Sequence, residues 1–110
     1  MPVKYAYLYC VSNNIINNLL KIGIVNVAVN DKRRLSVILE EVMGETWEFV
    51  MAKFIHHPED LGTTLQNILK KHYPVVERNI FNMPIDDADM YFNLIRGENV
   101  QLAHSNRRGY

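Results

Sequence analysis

A single cysteine, Cys10, rules out an internal disulfide, so the core alone must hold the chain together. Cys10 falls on a strand face expected to be buried, and it reads as a structural thiol rather than a reactive one. No charge of either sign is in excess. Twelve Lys and Arg balance twelve Asp and Glu, giving a net charge of zero with the histidines neutral. No whole-chain field therefore draws the protein toward nucleic acid or a membrane, and any affinity for DNA must come from one locally basic face. Long apolar runs are also missing. None approaches the roughly 18 residues needed to span a bilayer, and no basic leader precedes an apolar segment. The expectation is a soluble intracellular protein, in cytoplasm or nucleus, with no membrane contact. Internal repeats and low-complexity segments are absent as well. What remains is an ordinary globular composition, 48% hydrophobic and 22% charged in 110 residues, enough for one domain with a real core.

The stretch Tyr5 to Gly23 is the first strong pattern. Tyr5, Tyr7 and Tyr9 share one face by the two-residue period of a strand, while Ala6, Leu8 and Cys10 share the other. Ser12-Asn13-Asn14 suits a turn, and Asn17-Asn18 marks a second bend after Ile15 and Ile16. Leu19 to Val25 is apolar again and completes a hairpin. Gly23 interrupts this second run, where glycine lets another backbone or a ligand come close.

Farther on, Asn30 or Asp31 can cap a helix over residues 31–42, with Leu35, Ile38, Leu39 and Val42 at helical spacing. Lys32, Arg33 and Arg34 crowd its first turn, where the helix dipole disfavours positive charge. A solvated basic turn explains this placement, and so does a pair of arginines held for an anionic ligand. After Gly44, residues 46–55 read as a strand inside the sheet, with Trp47, Phe49 and Met51 on one side and Val50, Ala52 and Phe54 on the other. His56 and His57 are adjacent, so on a strand they point apart and cannot share a metal. Pro58, Glu59 and Asp60 suit the start of a helix whose stripe is Leu61, Leu65, Ile68 and Leu69. Pro74 stops that helix, and a short strand is expected around Ile80-Phe81. Pro84 and Asp86-Asp87 open a last helix carrying Met90, Tyr91, Leu94 and Ile95, with Gly97 as its stop. Residues 1–97 form the domain in this reading, and 98–110, with Arg107-Arg108, form a polar tail or linker. The class is α+β: a small three-stranded antiparallel sheet flanked by helices.

The hairpin and the arginines after it resemble the GIY-YIG nuclease superfamily, in particular its small branch from phages and large DNA viruses. Ala6-Tyr7-Leu8-Tyr9-Cys10-Val11 stands where that branch has Gly, an aromatic, an aliphatic and the motif tyrosine. Tyr9 matches the tyrosine, and Lys21-Ile22-Gly23 matches the second half-motif. Arg34 matches the catalytic arginine, with Arg33 one residue away as the alternative. Arg78-Asn79-Ile80-Phe81 resembles the Arg-Glu-Phe-Phe segment before the final helix. The likeness spans roughly residues 5 to 96.

The resemblance implies a β-β-α-β-α core with a C-terminal helix, and hydrolysis of a DNA phosphodiester with one Mg²⁺ or Mn²⁺. It gives catalytic roles to Tyr9, Lys21, Gly23 and Arg34 or Arg33, and DNA contacts to Tyr7, Lys21, Arg33 and Arg34. The sequence departs from the family at the metal. Gly62 stands where the family has its ligand glutamate, and Leu65-Gln66 replaces Leu-His. Glu59, one helical turn earlier, is the nearest substitute if the helix starts early enough, and Asp60 and Glu77 are remoter. Two alternatives follow: an inactive DNA-binding module, or a protein-interaction domain that self-associates through the aromatic hairpin as a homo-oligomer.

Overall fold

The alternation of side chains along the first strand sets the layers of this protein, whose computed structural model describes residues 5–102. Strand β1 (Tyr5–Asn13) pairs antiparallel with β2 (Leu19–Val27) and, on its other edge, with β3 (Trp47–Ile55). Being central, β1 is covered on both faces. Tyr7, Tyr9 and Val11 enter one core cluster, while Leu8 and Cys10 enter another. Helix α1 (Lys32–Met43) covers the tyrosine face through Leu35 and Leu39. Helices α2 (Leu61–His72) and α3 (Ile85–Leu94) cover the opposite face through Leu65, Leu69, Ala88 and Phe92. The result is a three-layer α+β domain.

The sheet is larger than the three strands expected. Strands β4 (Val75–Glu77), β5 (Ile80–Asn82) and β6 (Glu98–Asn99) extend it to six, all antiparallel, in the order β4-β5-β2-β1-β3-β6. These additions have two or three residues each, too short for a period-two signal. The sheet also takes in the beginning of the expected tail. Glu98 and Asn99 pair with β3, and Val100 and Leu102 are buried on the α1 side. The remainder of the tail, with Arg107-Arg108, lies outside the described residues.

A bulge alters the facing of β3. Cys10 opposes Met51 but Val11 opposes Phe49, so Val50 is the extra residue. Trp47 and Phe49 therefore lie on the same face as Ala52 and Phe54 and join the α1-side cluster, while Val50 and Met51 pack on the other. Strict alternation, which put Met51 with Trp47 and Phe49, fails at this one inserted residue.

In α3 the inward positions are Ala88 and Phe92, with Tyr91 and Ile95 packed partly against them. Met90 and Leu94, apolar in the sequence reading, are exposed. Gly97 does not end this helix, which stops at Leu94. Its role is close approach, since a Cβ there would sit 2.6 Å from the Phe54 carbonyl oxygen. The end of α3 is held by Lys53, a buried cation of β3. Its Nζ donates to the carbonyls of Phe92 at 2.5 Å and Ile95 at 2.6 Å. A cation at the negative end of a helix is favourable, and the two carbonyls replace the water it gives up.

Candidate functional site

Tyr7 fixes where α1 begins. Its ring is fully buried, and its hydroxyl donates to Asn30 Oδ1 across the β2–α1 loop. Burial raises its pKa; a backbone hydrogen bond from Asp31 works against the rise, and the Asp31 carboxylate adds to it. Of the two possible caps, Asp31 takes the role: its carboxylate accepts from the backbone N–H of Arg33 at 3.0 Å and Arg34 at 3.3 Å. That negative charge offsets part of the cost of three cations in the first turn. Lys32, Arg33 and Arg34 are all exposed. Arg34 lines a shallow recess with Asp31, Arg33, Val37, Ile38 and Glu41.

Tyr9 and Gly23 oppose each other across β1 and β2. The tyrosine ring lies over the glycine, so that a Cβ at Gly23 would meet Tyr9 Oη at 2.4 Å and Cζ at 2.5 Å. The group that approaches the glycine is thus a cross-strand side chain, not the backbone or ligand expected. Tyr9 is 7% exposed, and burial raises the pKa of its hydroxyl. It is thus a neutral phenol at physiological pH. Lys21, two residues before Gly23 on the same face, holds its ammonium 4.9 Å from the centre of the Trp47 ring. Beside this strand, Lys21 pairs with Ile80 of β5, and the Ile22 N–H donates to the Asn79 carbonyl. The Arg78-to-Phe81 segment therefore borders the Lys21-Ile22-Gly23 run directly.

One sheet face thus holds Tyr7, Tyr9, Gly23 and Lys21, and α1, with Arg33 and Arg34, packs over that face. Tyr7 is used in the core and in anchoring α1. Trp47, Asn30 and Asp31 belong to the arrangement as well. The Val50 bulge concealed Trp47, since its facing follows from the inserted residue, and Asn30 was offered only as a cap.

The residues present do not fit the divalent metal that the resemblance implies. Helix α2 lies on the opposite sheet face from Tyr9, and Gly62 faces Ile24, whose Cγ2 would be 3.1 Å from a Cβ placed there. The helix starts at Leu61, which leaves Glu59 outside it, exposed, with Asp60 left-handed at φ 55°. Glu77 is exposed on β4. Gln66, in the place of the family's histidine, donates to the Ile22 carbonyl at 3.3 Å. Among the described residues no three His, Cys, Asp or Glu side chains converge as a ligand set. His56 pairs instead with Glu98 at 2.9 Å on the surface. Also among the described residues, no helix is long and apolar enough to cross a membrane.

No protein-family profile, curated protein or solved structure matches this chain.

Proposed function

We propose that this domain binds DNA through its phosphates, using Lys21, Arg33 and Arg34, and does not cut it. The observation that carries this reading is the exposed Lys32-Arg33-Arg34 turn, held in place by Tyr7 and Asp31 on the sheet face that carries Lys21, Gly23 and Tyr9. Cations at a helix start cost stability unless something anionic answers them, and Asp31 alone cannot balance three. Arginine forks suit phosphate oxygens, and Lys21 adds a compact charge farther along the same sheet face. The GIY-YIG resemblance points to the same ligand. Gly62 supplies no oxygen for a metal, so the domain keeps the phosphate-binding part of that chemistry and lacks the hydrolytic part.

Two measurements test this reading. Labelled DNA should bind with an affinity that weakens as salt rises, and Arg34→Ala should weaken binding by about one phosphate contact. Supercoiled and branched DNA should remain intact with Mg²⁺ or Mn²⁺. Nicking with either metal contradicts the non-cleaving assignment.

A second reading is favoured by strand β4, an edge strand with Val75 and Val76 exposed. An exposed edge can pair between copies, although this one is short and ends on Glu77. Sedimentation at rising concentration separates the two readings: a constant monomer removes the self-association one.

A further inference from the structure

We infer that Trp47 is a positioning residue for Lys21, holding its ammonium at the place where it meets a DNA phosphate. This rests on the DNA-binding reading above and adds to it a residue that no motif contains.

The geometry begins in the β1–β2 turn. Asn13 accepts from the backbone N–H groups of Ile15 at 2.9 Å and Ile16 at 2.8 Å, which closes the turn. Asn14 then reaches the end of the α1–β3 connection. Its backbone N–H donates to Thr46 O at 2.9 Å, and its side-chain amide donates to Glu45 O at 3.2 Å. These bonds fix the start of β3, where Trp47 pairs with Asn13. The Val50 bulge turns Trp47 onto the face of Lys21, and the lysine ammonium rests 4.9 Å from the ring centre.

A free lysine side chain has rotamer freedom that is lost when it is fixed on a ligand. A ring beneath the ammonium restricts it beforehand and leaves its N–H groups able to reach an anion. The indole is half-buried against the α1-side core, so its own position is firm.

The salt dependence of DNA binding tests this, because its slope counts phosphate contacts and a merely structural change leaves the count alone. With labelled duplex read by anisotropy, Lys21→Met should lower the slope by about 0.9, one contact. Trp47→Leu should lower it similarly when Lys21 is present and not at all in the Lys21→Met background. Trp47→Phe, which restores a ring, should recover the slope. Circular dichroism melts identify which variants are folded.

Trp47 is the sole tryptophan, so the unaltered protein supplies a second readout if Trp47→Leu fails to fold. Its emission should change on saturation with DNA, and Lys21→Met should abolish the change while anisotropy still reports binding through the arginines. Three results overturn the inference: a folded Trp47→Leu with the wild-type slope, an equal loss in both backgrounds, or unchanged emission at saturation. Wild-type protein that gives no anisotropy change even at low salt overturns the DNA-binding reading itself, and this inference falls with it.

Discussion

Tyr9 and Gly23 carry the tightest pairing in the site. With Tyr9 Oη 2.4 Å from where a Cβ would stand, Gly23→Ala must move a buried ring. Overpacking of this kind costs about 1–3 kcal/mol, so urea melts of Gly23→Ala should show a loss in that range. Cys10 and the tyrosines make a second prediction. Burial pushes the Cys10 thiol from its ordinary 9.0 up to about 12, and raises Tyr7, Tyr9 and Tyr73 above 10.0. For Tyr73 a hydrogen bond to Asp87 adds to the burial effect. An unfolded chain releases these protons at their ordinary pKa values, while the folded one retains them. Stability from these groups is therefore complete below about pH 9 and is lost progressively as pH rises through the folded values. Urea midpoints should hold up to about pH 9 and fall as pH rises beyond it, and alkylation of Cys10 in the native protein should be slow until denaturant is added. That something comes close at Gly23 was legible from a lone glycine in an apolar strand; that it is the Tyr9 ring follows from the β1–β2 register, which the sequence does not state. The burial of Tyr7 was not, because an aromatic strand face reads the same whether a helix or a ligand covers it.

Elements of ordinary length emerge from periodicity, and the connections between them do not. The hairpin, the three helices and the central placement of β3 all follow from spacing that spans nine or more residues. Strands β5 and β6 take their register from β2 and β3, distant in sequence, and β4 adds to β5 across the Arg78-Asn79 turn; beyond the apolar pair Ile80-Phe81, strands this short carry no local pattern. The Val50 bulge is a single inserted residue, yet it decides that Trp47 meets Lys21. Lys53 is a comparable case: a lysine in an apolar strand gives no hint that it will cap a helix thirty-nine residues away. Removing it as Lys53→Ala takes the charged donor from both carbonyls and leaves Phe92 with the Ile95 N–H at 3.2 Å. The expected loss is about 1–3 kcal/mol, read by chemical denaturation, with α3 the first element to lose amide-exchange protection.

Zero net charge at the scale of the molecule is a balance of local clusters, not a division between faces. The basic first turn of α1 lies on one face of the sheet with Glu40 and Glu41 farther along the same helix, while on the other face α3 opens on Asp86 and Asp87 and α2 ends on Lys70, Lys71 and His72. In the proposed reading the attraction for DNA is local to the α1 turn and does not arise from a field across the molecule. The proposal that the domain binds without cutting rests on Gly62, which supplies no side-chain oxygen and sits against Ile24 on the face opposite Tyr9. The central claim is that phosphates are held on the α1 face, and a salt titration of DNA binding by the wild-type protein tests it most directly. The prediction is a straight decline of log affinity with log salt, steep enough for several phosphate contacts at about 0.9 each. Affinity indifferent to salt, or no binding even at low ionic strength, contradicts it.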